Sequence, residues 1–261
     1  SNPQTPAAHD AALTPDLVSV PAKPLAAALV PAGLAGWWPG EDDAIDSVSG
    51  AAASLLNGAT IVPDGKVGQS FSFAAAGDHV RIADCPELRF SGSMTIEAWL
   101  YPTANSNIQS IVTKWDGVLN AGHRSFSLGC YQGGRVYFHV NPTGKNPDLY
   151  HVESRTQLPL NRWSHVAATY DGSHLKIYID GELEVKIAYS GGIFPGTADI
   201  AIGGAVGGAK RGQVYGQFCG RIDELSLYRR SLTEPEVLTI YEAGSLGKRP
   251  PTPAVSTVVP P

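Results

Sequence analysis

Sulfur and charge are both scarce in this sequence. Its 261 residues include three cysteines and one methionine, and 16% are Asp, Glu, Lys or Arg. Cys85, Cys130 and Cys219 show no metal-ligand spacing, which excludes a zinc ribbon and leaves room for at most one disulfide. Nowhere do about 18 apolar residues run together, so no helix is expected to cross a membrane. The net charge of −5 and the lack of a basic stripe exclude nucleic acid as an expected partner. Catalytic signatures are missing too. His79, His123, His139, His151, His165 and His174 form no His-x-His or His-Glu-x-x-His pair, and no Gly-x-Ser-x-Gly elbow occurs. The Gly-rich stretch 203–212 lacks the Gly-Lys-Ser/Thr ending of a phosphate loop and reads as an inter-strand loop.

Glycine, proline and apolar residues are plentiful instead. The 29 Gly and 20 Pro predict many tight turns, and a hydrophobic share of 43% is enough for a large core. Residues 1–33 are rich in Ala and Pro, and residues 249–261 are rich in Pro; both suit extended linkers, although 25–34 could add a strand or a helical turn. The start at Ser1 rather than Met reads as a mature or excised segment, joined to other domains of a longer exported protein.

Between the linkers, at 34–248, short strands dominate. In "MTIEAWLYP" (94–102), Met94, Ile96, Ala98 and Leu100 alternate with Thr95, Glu97, Trp99 and Tyr101, a period of two. "HLKIYIDGE" puts Leu175, Ile177 and Ile179 on one side before Asp180-Gly181, a hairpin signal. About a dozen such runs predict an all-β, two-sheet antiparallel sandwich. One helix is expected near the C-terminus, where Thr233 and Glu236 form a capping box and Gly244 ends it.

The most acidic stretch is "PGEDDAID" (39–46), with Glu41, Asp42, Asp43 and Asp46. Its Glu-x-Asp-x-x-Asp spacing comes close to the Glu-x-Asp-x-x-Glu of one class of jelly-roll glycosidases. A retaining glycosidase needs two carboxyls about 5 Å apart on a rigid surface. Turn residues flank this stretch on both sides, which argues against catalysis and leaves a cation-binding loop or a solvated one.

Four segments occur in order: "GKVGQSFSFAAAGDHVRIAD", "MTIEAWLYP", "NRWSHVAATYDGSHLKIYIDGEL" and "GRIDELSLYRRSLTEPEV". Together they resemble the laminin G-like, concanavalin A-like jelly-roll domains of bacterial secreted and surface proteins. The resemblance implies a jelly-roll β-sandwich with a short C-terminal helix, and a binding module for carbohydrate or an extracellular protein. It also implies a structural calcium site near the first strand and the late "IDE" strand, which by position falls on Glu41, Asp46 and Asp223, with Asp78 a fourth. Here the loop reads Asp46-Ser47-Val48-Ser49-Gly50 and departs from the family's Asp-x-Ser-Gly-Asn-Gly.

A sugar site needs aromatic rings rimmed by polar groups. Trp115, where a strand passes into a loop, is the best candidate for exposure; Tyr131, Tyr150 and His151 flank other loops. Trp99 and Trp163 read as packing residues, and His165 as a packed, hydrogen-bonded one. The expected protein is therefore a secreted or cell-surface carbohydrate-binding module without catalytic residues. The alternatives are a glycan-cleaving enzyme, for which Glu97 is the one acid among strand aromatics, and an adhesion spacer.

Overall fold

A computed structural model describes residues 26–116, 123–145, 148–206 and 214–250. The segments expected as linkers lie mostly outside them, as does most of the Gly-rich loop. The described chain forms nineteen strands, several of only two or three residues, and one α-helix.

Two antiparallel sheets carry the fold. The front sheet has seven strands in the order Tyr150–Gln157, Arg135–Val140, Arg124–Cys130, Gln109–Trp115, Ile200–Ile202, His79–Ile82 and Ser54–Leu56. The back sheet has eight: Glu182–Ala188, His174–Ile179, Ser164–Tyr170, Met94–Pro102, Gly220–Tyr228, Ser70–Phe73 and Thr60–Val62 in order, with Leu34–Trp38 also pairing Gly220–Tyr228. This is the expected jelly-roll sandwich. Met94, Ile96, Ala98 and Leu100 point into one core with Phe126, Leu128, Val136 and Phe138 of the opposing sheet. The Asp180-Gly181 turn joins its two strands with φ of 49° and 83°, the doubly left-handed geometry that favours Asp-Gly.

The outer face of the back sheet is buried as well. Helix α1 (Glu234–Ala243) lays Val237, Ile240 and Ala243 on Ala167, Tyr178 and Tyr228 in a second core. Thr233 caps it: its hydroxyl accepts from the Glu236 amide, and the Glu236 carboxylate accepts from the Thr233 amide. Beside the helix, Ala28–Leu29 pairs in parallel with Lys248–Arg249. The packed chain thus begins before residue 34 and reaches Arg249, because Ala28 joins the second core and Lys248 has buried partners. All three cysteines are free thiols, and burial pushes the Cys130 thiol up to about 12.

Candidate functional site

The acidic stretch divides into separate jobs. Asp46 is buried; its Oδ1 accepts from the amides of Trp37 (2.7 Å) and Val48 (3.1 Å), and its Oδ2 accepts from the amide and hydroxyl of Ser49. Asp78 accepts from the amides of Gly58, Ala74 and Ala75 at 2.8–3.0 Å, and these bonds lower its pKa against the effect of burial. Both carboxylates accept from several amides of the loops around them and so act as turn anchors. Asp42 and Asp43 are exposed and bond Gln69 and the Ile45 amide.

Glu41 and Asp223 differ. They close on the same loop, Glu41 accepting from the Gln69 amide (3.0 Å) and Asp223 Oδ2 from the Val67 amide (2.9 Å). Asp223 Oδ1 is buried without a partner. Burial first, then repulsion from Glu224 and Glu41, pushes the Asp223 carboxyl up to about 8. Such a site is short of positive charge. Among the described residues no three His, Cys, Asp or Glu converge on a metal position. A hard cation also accepts backbone carbonyls and water as ligands, so two carboxylates beside an irregular loop suit calcium chemistry.

The expected sugar-binding residues separate by strand parity. Trp115, Tyr131 and His151 lie on the outer face of the front sheet. Tyr150 precedes His151 in the same strand, so its side chain goes the opposite way, against Tyr189 (ring centroids 4.9 Å). Trp115 is less open than its loop-edge position suggested, at 8% exposure, because Arg124 stacks over its ring at 4.8 Å. Two cavities meet at Trp115. The smaller, about 300 Å³, is walled by Tyr131, Tyr137, His139 and Tyr215 with Thr113 and Ser127. The larger, about 680 Å³, holds Asn57, His79, Arg81 and Asp199.

Tyr137 and His139 were not anticipated, although "RVYFHV" places them on one face of a strand. Their rings stack at 4.1 Å, and the Tyr131 hydroxyl lies 2.8 Å from His139 Nε2. Burial, reinforced by His151, lowers His139 to about 3, so its ring is neutral at physiological pH. A hydrogen bond between neutral groups therefore joins Nε2 and the tyrosine hydroxyl. Rings, hydroxyls and a neutral imidazole thus line this cavity, with the Arg124 guanidinium beside it over Trp115.

Residues 74–238 match the Concanavalin A-like lectin/glucanases superfamily, with a laminin G-type pattern. The chain belongs to this superfamily. Mouse pappalysin-1 is 26% identical over 184 residues, which cover 67% of this chain and 11% of that protein. Domain 4 of AbnA, an extracellular arabinanase from Geobacillus stearothermophilus solved with arabinotriose, superposes with a TM-score of 0.61 at 20% identity, over 78% of this chain and 96% of that one. The binding domain of Paraclostridial Mosquitocidal Protein 1 gives a TM-score of 0.63 at 18% identity, and the botulinum neurotoxin D domain solved with N-acetylneuraminic acid gives 0.60 at 14%. This chain spans about half of each toxin domain, 52% and 50%. At these identities the likeness shows the lectin/glucanase fold.

Glu97 is the acid among strand aromatics on which the alternative reading, a glycan-cleaving enzyme, would rest. It lies on the back sheet beneath α1, fully buried. Lys248 Nζ is 2.8 Å from its Oε1, His165 Nε2 is 3.2 Å from its Oε2, and Lys248 also reaches Glu224 at 3.2 Å. Burial alone would raise Glu97, but Lys248 and His165 overcome it and hold the carboxylate at about 2. His165 is packed and hydrogen-bonded as expected. No substrate reaches Glu97. It neutralises the cation that ties down the C-terminal ribbon.

Proposed function

We propose that this chain is a non-catalytic carbohydrate-binding module of a secreted or cell-surface protein, with its ligand on the outer face of the front sheet. The observation that carries this reading is the pair of cavities meeting at Trp115, with aromatic rings along one and hydrogen-bonding groups along the other. Aromatic faces take the C–H face of a sugar ring, while hydroxyl, amide and charged groups fix its orientation. Relatives with the same fold were solved with arabinotriose and N-acetylneuraminic acid, which supports a sugar ligand over an unliganded spacer. We further propose a structural calcium ion held by Glu41 and Asp223, which would relieve the charge imbalance around the unpartnered Asp223 Oδ1.

The test is a glycan array read in calcium and again in chelator, with mass spectrometry of the glycans afterwards. Expected are retained, uncleaved glycans, and loss of retention in Trp115→Ala with its circular dichroism spectrum preserved. Shortened glycans would make the protein an enzyme. Silence on every glycan would turn the assignment to a protein-binding or spacer domain.

A further inference from the structure

The first and last strands of the packed chain meet beside α1, and they meet in parallel. Ala28 pairs with Lys248 and Leu29 with Arg249. Two backbone bonds join them, from the Ala28 amide to the Gly247 carbonyl (2.9 Å) and from the Val30 amide to the Arg249 carbonyl (3.0 Å). Residues 1–25 precede this ribbon in the sequence, and residues 251–261 follow it. A pull on those two flanking segments draws the first strand backwards and the last strand forwards along one axis. Inter-strand hydrogen bonds lie across that axis, so both are sheared together and neither opens ahead of the other.

Each strand of the ribbon is also fixed to the domain. Lys248 Nζ donates to Glu97 Oε1 (2.8 Å) in strand Met94–Pro102 and to the Glu224 carbonyl (2.9 Å) in strand Gly220–Tyr228. Ala28 is buried in the second core, and Val30 packs against it. Behind the ribbon the geometry changes. Leu34–Trp38 runs antiparallel to Gly220–Tyr228, with Leu34 opposite Tyr228 and Trp38 opposite Leu225. The entry end of that strand lies beside the exit end of its partner, so tension arriving there parts the pairs in turn. The ribbon meets a pull in shear; the strand behind it would only unzip.

We propose a mechanical function for the ribbon: it passes tension between the segments flanking the domain and keeps the ligand-binding sheet unloaded. The path from Ala28 to Arg249 crosses only the ribbon. All seven strands of the front sheet lie between residues 54 and 202, inside the loop that the ribbon closes. A module that holds a ligand while its chain is pulled needs this separation. The function goes beyond the carbohydrate reading and does not depend on what the groove binds.

Single-molecule force spectroscopy of the whole chain tests it in two pulling geometries. In the first, handles sit at the two chain ends and shear the ribbon. In the second, one handle moves to the exposed Ala32, just past the first strand, and the other stays at the C-terminus. Both handles then pull from the same end of the ribbon and peel it. Forced unfolding reads the barrier to opening and not equilibrium stability. At equal force, end pulling should unfold the domain at least about fivefold more slowly, because two hydrogen bonds must fail together instead of one. The first rupture under end pulling should also be the one at the highest force. Val30→Pro removes one of the two donors and should abolish the difference between the geometries. The two wild-type geometries decide the matter even if that variant is unstable. Equal rates in both geometries, a later rupture at higher force, or an unchanged difference in Val30→Pro would each overturn the inference and leave the carbohydrate reading intact.

Discussion

The outer faces of the two sheets are built by the same alternation of residues and meet different fates. On the back sheet, Thr95, Glu97 and Trp99 alternate with core residues, yet all are buried, because α1 and the Lys248–Arg249 ribbon lie over them. On the front sheet Thr113 and Tyr137 are buried too, but His139 is half-buried, His151 is exposed, and no helix among the described residues covers them. The covered face holds ionised groups in a closed network; the open face holds rings and hydroxyls around one cavity and the Arg81–Asp199 ion pair beside the other. An acid among aromatics on a strand therefore says little until the layer above it is known. What decides between a site and a structural ion pair is the chain segment that returns to cover the sheet.

The strongest way to break this contrast is to remove the cation under the cover. Lys248→Ala takes the ammonium from Glu97 and leaves it buried with His165 and Tyr228 as its remaining partners, and loss of one partner of a buried pair costs about 3–5 kcal/mol. Urea unfolding measures it. Lys248→Met combined with Glu97→Gln should recover most of the loss, since neither then carries a charge. The pH dependence has a definite sign. Glu97 sits at about 2 in the fold against 4.5 ordinarily, so its contribution is complete above about pH 4.5 and is lost as pH falls toward 2. Glu97→Gln should flatten the stability profile in that window. Equal slopes in both proteins would show that Glu97 is not ionised inside.

Much of the fold was legible in the sequence. The period of two in 94–102, the Asp180-Gly181 turn and the Thr233 capping box each correspond to the observed element, because each is a local rule with a local cause. The ionic network was not legible, since Glu97 and Lys248 are 151 residues apart and meet only in the folded chain. One signal was available. In "RIDELSLY" the core residues Ile222, Leu225 and Leu227 are spaced three and then two, so the alternation skips a residue. The structure has a bulge there, with Glu224 at φ 58°, and it turns two consecutive acids away from the core. The sequence did not say which face the candidate aromatics would share; Trp115, Tyr131 and His151 fall on the outer face of the front sheet, whereas Tyr150 shows that a one-residue step along a strand changes the face.

Calcium sharpens the contrast at the edge between the faces, with a smaller expected effect. Asp223 is raised to about 8 from 3.8, so without a cation its ionisation works against folding: stability is full below about pH 4 and declines as pH rises toward 8. A bound divalent cation reverses that. At pH 8, calcium at about a hundred times its Kd should raise unfolding stability by roughly 2.7 kcal/mol, and near pH 4 it should do little. Asp223→Asn should remove both the decline and the calcium gain. Identical stability in calcium and chelator at pH 8 would remove the proposed ion and leave Glu41 and Asp223 as loop anchors.

The mildest perturbation loosens the cover without touching its charges. Thr233→Ala deletes the cap on the first turn of α1 and should cost about 1 kcal/mol in urea unfolding. Glu236 keeps its Arg230 partner, whose hydrogen bonds hold that carboxylate at about 2, so the helix start is weakened and not abolished. Hydrogen exchange should rise first at α1 and the Lys248–Arg249 ribbon, because Val237 and Ile240 anchor that layer to Tyr178 and Tyr228. Strands 124–130 and 135–140, on the far side of the main core, should keep their protection, and glycan affinity in the groove should stay unchanged. If the groove loosens together with the cover, the two faces form one cooperative unit, and the back-sheet network supports binding through the core between them.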